Sequence, residues 1–383
     1  MKNSPLGDLS LETFLAEYWQ KKPLLIRQAL PGIKPPIAAD ELAGLACEEE
    51  VESRLIIQDP ATDHWELTHG PFVDATFSEL PDTHWTLLVQ AVDHWVPAAA
   101  EFLTQFYFIP SWRVDDLMIS YSGDKGGVGP HYDNYDVFLV QVSGRRQWEV
   151  GGLYDETSPR RPDVPVKILS EWEPEHCWIL EPGDLLYIPP QVGHNGIAIG
   201  EDCMTCSVGF RAPSHRDILL DFSESVGEEL SEEVRYADPD LLPQPNPGQI
   251  TAEAVKKVQK ILTQYVEDYD KLAQWFGCYM TAPKYQEEEP AQEEYHLEDV
   301  RRHLASGGRL FRNEGSRFAF QEHGENLWLF VDGRQYICTA LMTDLVKTLC
   351  AERMIGSNLC VPSEGHDSLL LDLLTHGSLY LSD

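Results

Sequence analysis

The chain has 383 residues and a formal net charge of −34, from 29 basic and 63 acidic residues. This length is too great for one ordinary hydrophobic core and predicts two or three domains. A surface this acidic repels phosphate backbones, which argues against direct nucleic-acid binding and favours a basic partner. No stretch reaches the roughly 20 apolar residues of a membrane helix, and the N-terminus lacks the basic and apolar regions of a signal peptide. We therefore expect a protein of the cytoplasm that does not contact membranes.

The first hundred residues predict a mixture of short helices and strands. Ser10 can cap an amphipathic helix that ends before Pro23, and the following LLIR is typical of a strand. Residues 54–58 and 64–70 are also interpreted as strands. Apolar side chains at three- and four-residue spacing predict a helix within 84–108, through Trp85, Leu88, Val92 and Trp95.

Residues 112–212 predict an antiparallel barrel or jelly roll. Short apolar runs such as DDLMISYS, YDVFLVQV and DLLYIPP alternate with turn sequences such as GDKGGVGP, VSGR and EPGD. This alternation is typical of antiparallel β structure and not of βαβ units. The expected fold class is therefore α+β.

One group of side chains in this β-rich region predicts a metal site. His131 and Asp133 are two residues apart in GPHYDNYDVF, and residues i and i+2 of a strand share a face. His194 follows later, in YIPPQVGHNG, and completes two imidazoles and one carboxylate. Such a set leaves the opposite side of the metal open, which suits Fe(II) that must also bind a co-substrate and O₂. The alternative is that the two histidines are hydrogen-bonded residues at the barrel rim.

Arg146 in SGRRQWEVG is the candidate to bind that co-substrate. On one strand, Arg146 and Trp148 share a face and Arg145 points outward. A cation inside a barrel needs an anionic partner, which the far carboxylate of a metal-chelating dicarboxylate would supply. Ser120, in MISYS, is a candidate second donor to that carboxylate. From this segment alone, a pair of surface arginines is the alternative.

The C-terminal half predicts helices followed by a small mixed unit. Residues 216–230 and 251–275 are typical of helices, and the apolar stripe of the second predicts either dimerisation or packing within the monomer. After an acidic linker at 283–294, Asp332-Gly333 predicts a hairpin turn, and TDLVKTLCAERM and DSLLLDLLTH predict two helices. The predicted domains are 1–212, 213–282 and 295–383.

The eight cysteines are scattered and predict buried free thiols. Cys203 and Cys206 form a CxxC, but no second pair accompanies them, and CMTCSVGF is typical of a strand. We therefore expect no zinc site at this pair.

These motifs together resemble the JmjC family of Fe(II)- and 2-oxoglutarate-dependent oxygenases, and within it the bacterial ribosomal oxygenase group. The resemblance covers essentially the whole chain and rests on DDLMIS, GGVGPHYDNYDVF, SGRRQW, LEPGDLLYIPP and SVGFRAP. It implies a double-stranded β-helix (cupin) barrel, a helical dimerisation region and a winged-helix-like C-terminal domain. It also implies that His131, Asp133 and His194 bind iron, and that Arg146 binds 2-oxoglutarate where some relatives place a lysine.

The resemblance further implies a substrate. Bacterial members of the group hydroxylate an arginine side chain of the sixteenth protein of the large ribosomal subunit, a basic partner that suits an acidic chain. Asp115, Asp116 and Asp136 are candidates for contacting that arginine, and the alternation of faces does not decide among them. The alternatives are the same chemistry on histidine, on another protein residue or on a small molecule, and a non-catalytic cupin-like binding protein. Because its candidate helices carry little positive charge, we do not expect the C-terminal domain to bind DNA.

Overall fold

The computed structural model describes residues 4–285, 295–356 and 364–382. The chain forms two compact units, Met1–Ala212 with Asn313–Gly315, and Pro213–Arg312 with Ser316–Asp383. The finer division of the second unit at 282 and 295 stays a prediction. No helix within the described ranges is long and apolar enough to cross a membrane.

The first unit is built on one large sheet in which every neighbouring pair of strands is antiparallel, as predicted for 112–212. The strands are β1 (Leu24–Ile26), β2 (Ser53–Asp59), β3 (His64–His69), β4 (Trp85–Val89), β5 (Val114–Ser122), β6 (Val137–Leu153), β7 (His176–Leu180), β8 (Leu185–Ile188) and β9 (Val192–Phe210). Their order is β1-β8-β6-β9-β5-β4-β2-β3, and β7 pairs with β6 outside this path.

The long strands β6 and β9 pair with each other along most of their length and carry three register shifts. Burial alternates along β6: Arg146, Trp148 and Val150 are buried, whereas Arg145 is exposed. The predicted faces of this strand are therefore confirmed. The same register sets Val150 opposite His194 and Arg146 opposite Ala198.

Four α-helices accompany the sheet: α1 (Leu11–Glu17), α2 (Ala39–Leu45), α3 (Asp74–Ser78) and α4 (Pro97–Leu103). The predicted cap of α1 is confirmed, because the Ser10 hydroxyl accepts a hydrogen bond from the Thr13 amide. Phe14 of this helix packs its ring against those of Phe138 and Tyr187, with centroids 5.7 and 5.1 Å apart. These contacts bury α1 against the strands that lead to the site.

The prediction of a helix within 84–108 was wrong over its first part. Residues 85–89 form β4, which pairs with β2 and β5, and the α-helix begins only at Pro97. Four of the five residues of β4 are buried, so both faces of the strand are largely covered. Its sequence therefore lacks the alternation of polar and apolar residues that marks a strand with one exposed face. Positive φ angles of 64° at His84 and 49° at Ala91 bound the strand.

The second unit combines helices with two three-stranded sheets, β14-β10-β15 and β11-β12-β13. Its helices are α5 (His215–Glu229), α6 (Ala252–Val266), α7 (Tyr269–Thr281), α8 (Leu297–Ala305), α9 (Thr343–Ala351) and α10 (Glu364–Thr375). Its strands are β10 (Arg309–Arg312), β11 (Phe318–His323), β12 (Asn326–Val331), β13 (Arg334–Thr339), β14 (Met354–Ile355) and β15 (Leu379–Ser382). The predicted hairpin turn is confirmed, with positive φ at both Asp332 and Gly333.

The single helix predicted over 251–275 is divided in two. Asp268 has an extended backbone, and its side chain accepts a hydrogen bond from the Lys271 amide, which starts α7 afresh. None of the residues of α6, all of them described, is buried. Its apolar side chains Val255, Val258, Leu262 and Val266 are exposed to between 47% and 63%.

The described cysteines are free thiols, and Cys203 and Cys206 lie buried within β9. The interpretation of CMTCSVGF as a strand is therefore confirmed. Cys360 lies outside the described residues.

Candidate metal centre

The three predicted ligands converge. One ligand atom from each of His131, Asp133 and His194 can be chosen so that all three lie within 4.8 Å of one another. His194 Nε2 is 3.5 Å from Asp133 Oδ2, and the two imidazole centroids are 4.3 Å apart. Two donors that each bond one ion at about 2.1 Å lie at most roughly 4.2 Å apart, so only small side-chain movements are needed to share an ion.

Backbone hydrogen bonds fix the two ligand-bearing segments to each other. The His131 amide donates to the His194 carbonyl at 3.0 Å, and the His194 amide donates to the His131 carbonyl at 2.8 Å. The Gln191 amide donates to the Asp133 carbonyl at 2.7 Å. The segment before β6 is thus an isolated bridge and not the continuous strand that the spacing argument assumed. His194 itself lies on β9, not after a strand, and is 3% exposed.

Hydrogen bonds from the far side of each ring set the tautomer of both histidines. His131 Nδ1 lies 2.9 Å from the Gly129 carbonyl, and His194 Nδ1 lies 3.0 Å from the Val192 carbonyl. A carbonyl oxygen can only accept, so each ring donates from Nδ1, and the neutral form of each ring has its lone pair on Nε2. This arrangement is typical of metal-binding histidines, and the donor set fits a divalent metal.

The electrostatics favour the same protonation states that a metal requires. Enclosure of the imidazole, and after it the neighbouring His194, lowers the pKa of His131 to about 4. Burial raises the pKa of Asp133, but the polar groups around the carboxylate, from His194, His131 and Tyr135, outweigh it and bring that pKa to about 2. At neutral pH the His131 ring is therefore neutral and the Asp133 carboxylate is charged.

Tyr135 is a site residue that the sequence reasoning missed. Desolvation of the hydroxyl and the nearby Asp133 and Asp116 carboxylates raise the pKa of Tyr135. The phenol therefore stays protonated and is a potential hydrogen-bond donor to the Asp133 carboxylate. The signal was present in HYDNY, since Asp133 and Tyr135 repeat the two-residue spacing of His131 and Asp133.

Arg146 is buried inside the barrel, with 3% of its surface exposed. Its Nη2 donates to Ser122 Oγ at 2.7 Å, and Ser122 Oγ lies 3.0 Å from Thr86 Oγ1. The buried Nε of Arg146 and Nε1 of Trp148 have no hydrogen-bond partner within the described part of the chain. Buried donors without acceptors are costly, and an incoming carboxylate would satisfy them.

A single ring separates these donors from the metal ligands. The Trp148 indole lies 6.0 Å from the His194 ring, centroid to centroid, and the guanidinium carbon of Arg146 lies 5.8 Å from the indole centroid. The spacing suits a short dicarboxylate that reaches from the metal to Arg146.

Ser122, and not Ser120, is the serine that the structure places on Arg146. Ser120 is 5% exposed and lies two residues earlier on β5, on the same face. The alternation in MISYS assigned the face, but nothing in the sequence distinguished the two positions along it.

The three aspartates proposed near the substrate differ in their surroundings. Asp136 is fully buried and accepts hydrogen bonds from Gln20 and the Tyr187 hydroxyl. Asp116 is 2% exposed and accepts from Gln90 Nε2 at 2.7 Å, whereas Asp115 is only half-buried. Of the three, Asp116 is the one whose charge contributes to the raised pKa of Tyr135.

Comparison with protein families assigns both units. Residues 101–218 match the family model described as the JmjC domain, and residues 264–380 match the model described as a ROXA-like winged helix. The fold is thus α+β: a JmjC cupin barrel, helices and a C-terminal winged helix. The barrel and its His-Asp-His site define a JmjC-domain protein.

Individual relatives narrow this class. The chain is 37% identical over 313 residues to the ribosomal protein uL16 3-hydroxylase of Escherichia coli strain K12, covering 81% of this chain and 82% of that protein. It is 38% identical over 231 residues to a probable ribosomal oxygenase of Haemophilus influenzae, covering 60% and 54% of the two chains. The chain belongs to the JmjC-domain ribosomal oxygenase family.

Solved structures agree over nearly the full length. An X-ray structure of E. coli YcfD superposes with a TM-score of 0.89 at 31% identity and covers 98% of this chain and 99% of that one. A structure of YcfD, described as a ribosomal oxygenase, in complex with cobalt and 2-oxoglutarate superposes with a TM-score of 0.87 and the same coverage.

Proposed function

We propose that this protein is an Fe(II)- and 2-oxoglutarate-dependent dioxygenase that hydroxylates an arginine side chain of the large-subunit ribosomal protein uL16. The observation that carries the proposal is the pairing of the His131, Asp133 and His194 cluster with the buried donors of Arg146, one indole ring apart. The relatives described as a uL16 hydroxylase and as a 2-oxoglutarate complex support the substrate and the co-substrate.

The roles of the site residues follow from their contacts. Nε2 of His131, Nε2 of His194 and the Asp133 carboxylate hold the iron, and Arg146 receives the far carboxylate of 2-oxoglutarate. Ser122 supports Arg146 directly, and Ser120 remains a candidate for a further contact on the same face. When bound, the iron, 2-oxoglutarate and O₂ supply an oxidation that inserts one oxygen atom into a C–H bond and releases succinate and CO₂.

The side chains around the site position the substrate and exclude water. A buried apolar cluster contains one side chain each from β2, β3, β4 and the 154–175 segment, namely Ile56, Trp65, Leu88 and Ile168. Met118 and Val128 pack against this cluster. Met118 shares the face of β5 that carries Ser120 and Ser122. An apolar wall on this face excludes water from the reacting centre and orients the substrate.

Arginine as the oxidised residue is supported by the acidic side of the site. The buried Asp116 and the metal-ligand candidate Asp133 both raise the pKa of Tyr135, so the two carboxylates lie near the same hydroxyl. A buried carboxylate so placed offers a guanidinium the charged, two-oxygen partner that it prefers.

Partner, assembly and compartment follow from the same proposal. Ribosomal proteins are basic because they bind RNA, and the net charge of −34 suits such a partner. The exposed apolar face of α6 supports a homodimer, since no described residue buries it within the chain. A ribosomal substrate places the protein in the cytoplasm.

The proposal is tested by incubating the protein with Fe(II), 2-oxoglutarate, ascorbate and recombinant uL16. We expect succinate release, a mass gain of one oxygen atom on uL16, and fragment spectra that assign it to an arginine. His131→Ala serves as the inactive control. An oxygen found on histidine would retain the chemistry and refute the arginine target, and no mass gain with no succinate would refute the function.

A further inference from the structure

A groove with a volume of about 500 Å³ lies on the first unit, beside β4, β5 and α2. Its floor is largely apolar and includes Phe77, Leu87 and the rings of Trp85 and Tyr121, whose centroids are 5.8 Å apart at an interplanar angle of 52°. Leu87 and Tyr121 are paired across β4 and β5. They point away from the face that carries Ser120 and Ser122, so most of the groove lies outside the metal site, with Ser122 as the residue common to both.

Four carboxylates line the rim of this groove, from Asp40, Asp82, Glu201 and Asp202. All four residues are exposed, and none of the described lysines or arginines lines the groove. The Tyr121 hydroxyl donates to Asp202 Oδ1 at 2.8 Å and so fixes that carboxylate at the edge of the aromatic floor. Elsewhere on the surface, exposed carboxylates such as those of Asp63 and Asp240 form ion pairs with Arg161 and Lys257.

An aromatic floor under uncompensated carboxylates has a definite chemical preference. The aliphatic stem of an arginine or lysine side chain packs on Trp and Tyr rings, while its charged head reaches carboxylates at the rim. A neutral or acidic segment would gain only the apolar contact, and a phosphate backbone would be repelled. The groove therefore fits a cationic side chain carried by a polypeptide.

We propose that this acid-rimmed groove docks an arginine- or lysine-bearing segment of the basic protein substrate, at a position distinct from the residue that is oxidised. The inference rests on the proposed function for the identity of that substrate, and on charge complementarity for the choice of occupant. Docking outside the metal site increases the affinity for the whole protein and leaves the chemical step unchanged. Its contribution weakens with salt, because the carboxylates are exposed.

The test compares two variants with the same change in net charge. Asp82→Asn/Asp202→Asn removes two rim charges, and the new amide oxygen at 202 can still accept from Tyr121. Glu49→Gln/Glu50→Gln removes two exposed charges of the same unit that do not line the groove. The measurements are the Kd for full-length uL16 at low and high salt, and kcat/KM for a short uL16 peptide that spans the oxidised residue.

We expect the groove variant to weaken binding of full-length uL16 about fivefold at low salt, as the loss of two exposed ion pairs predicts. The control variant should change it less than about twofold, and both variants should turn over the short peptide like the wild type. Equal weakening by the two variants, no weakening by the groove variant, or no binding of uL16 by the wild type would each overturn the docking proposal. Groove-dependent binding without any oxidation would uphold it and reject the proposed function.

Discussion

Arg146 should destabilise the protein when 2-oxoglutarate is absent. The residue is 3% exposed, its Nε has no partner, and none of the described carboxylates lies within ion-pair distance of it. Arg146→Met keeps an unbranched apolar side chain in this space and removes the charge. Replacing buried ionic groups by apolar ones is often neutral or stabilising by about 1–4 kcal/mol.

Arg146→Met changes the free energy of unfolding through two opposing effects. The substitution loses the charged hydrogen bond from Arg146 Nη2 to Ser122, worth about 1.5–3 kcal/mol. Ser122 keeps its contact with Thr86, so no hydroxyl is left without a partner. Relief of an uncompensated buried charge, at several kcal/mol, exceeds that loss. We expect the variant to be more stable than the wild type by about 1–2 kcal/mol.

Addition of the co-substrate should reverse this order. At 100 times its Kd, a ligand that binds only the folded state adds about 2.7 kcal/mol to the free energy of unfolding. Urea unfolding with Mn(II), with and without 2-oxoglutarate, should show this gain in the wild type and none in Arg146→Met. The exposed neighbour offers a matched control, since Arg145→Met should alter neither value. If the variant is less stable than the wild type without 2-oxoglutarate, or gains as much stability from it, then Arg146 is neither an uncompensated buried charge nor the 2-oxoglutarate ligand.

Three further changes have definite expected outcomes. In Gly193→Ala the new Cβ would lie 2.5 Å from Trp172 Cζ3. Overpacking of this kind costs about 1–3 kcal/mol, and because Gly193 adjoins the metal ligand His194, we expect weaker Mn(II) binding in calorimetry. An unchanged Mn(II) affinity would contradict this expectation. Burial raises the pKa of Asp184, but bonds from two backbone amides and Arg27 outweigh it and lower that pKa. Because its pKa is lower in the folded than in the unfolded protein, the charged Asp184 stabilises the fold at a pH above about 4, the pKa of an unfolded aspartate. We expect the difference in free energy of unfolding between the wild type and Asp184→Asn, measured with urea, to shrink as the pH falls below about 4. A difference that stays constant would contradict this. Leu262→Lys on α6 should convert a dimer to a monomer in light scattering, and a monomeric wild type would reject the predicted assembly.

The sequence was most informative where a local pattern determined the geometry. The alternation that buries Arg146 and the turn at Asp332-Gly333 depend on neighbouring residues alone, and they follow from the pleat of a strand and from turn sterics. The two-residue spacing of His131 and Asp133 identified two candidate ligands, but their convergence with His194 depends on the bridge to β9. The β-strands of 112–212 and the helix cap at Ser10 were likewise predicted from neighbouring residues.

The remaining features depend on contacts between distant parts of the chain. Ser120 and Ser122 share a face, and the registers of β5 and β6 on the intervening strand β9 decide which serine meets Arg146. Strand β4 shows no alternation of polar and apolar residues, because both of its faces are largely buried. The acid-rimmed groove assembles side chains as far apart in sequence as Asp40 and Asp202, a juxtaposition that no local pattern reveals.

We propose that His131, Asp133 and His194 hold the metal while Arg146 holds the far end of 2-oxoglutarate. A crystal structure of the protein with Mn(II) and 2-oxoglutarate, from crystals grown without oxygen, would show both contacts at once. We predict manganese bonded to Nε2 of His131, Nε2 of His194 and the Asp133 carboxylate, with the distal carboxylate of 2-oxoglutarate on Arg146. A metal bound elsewhere, or a distal carboxylate that does not contact Arg146, would show that the proposed site is wrong.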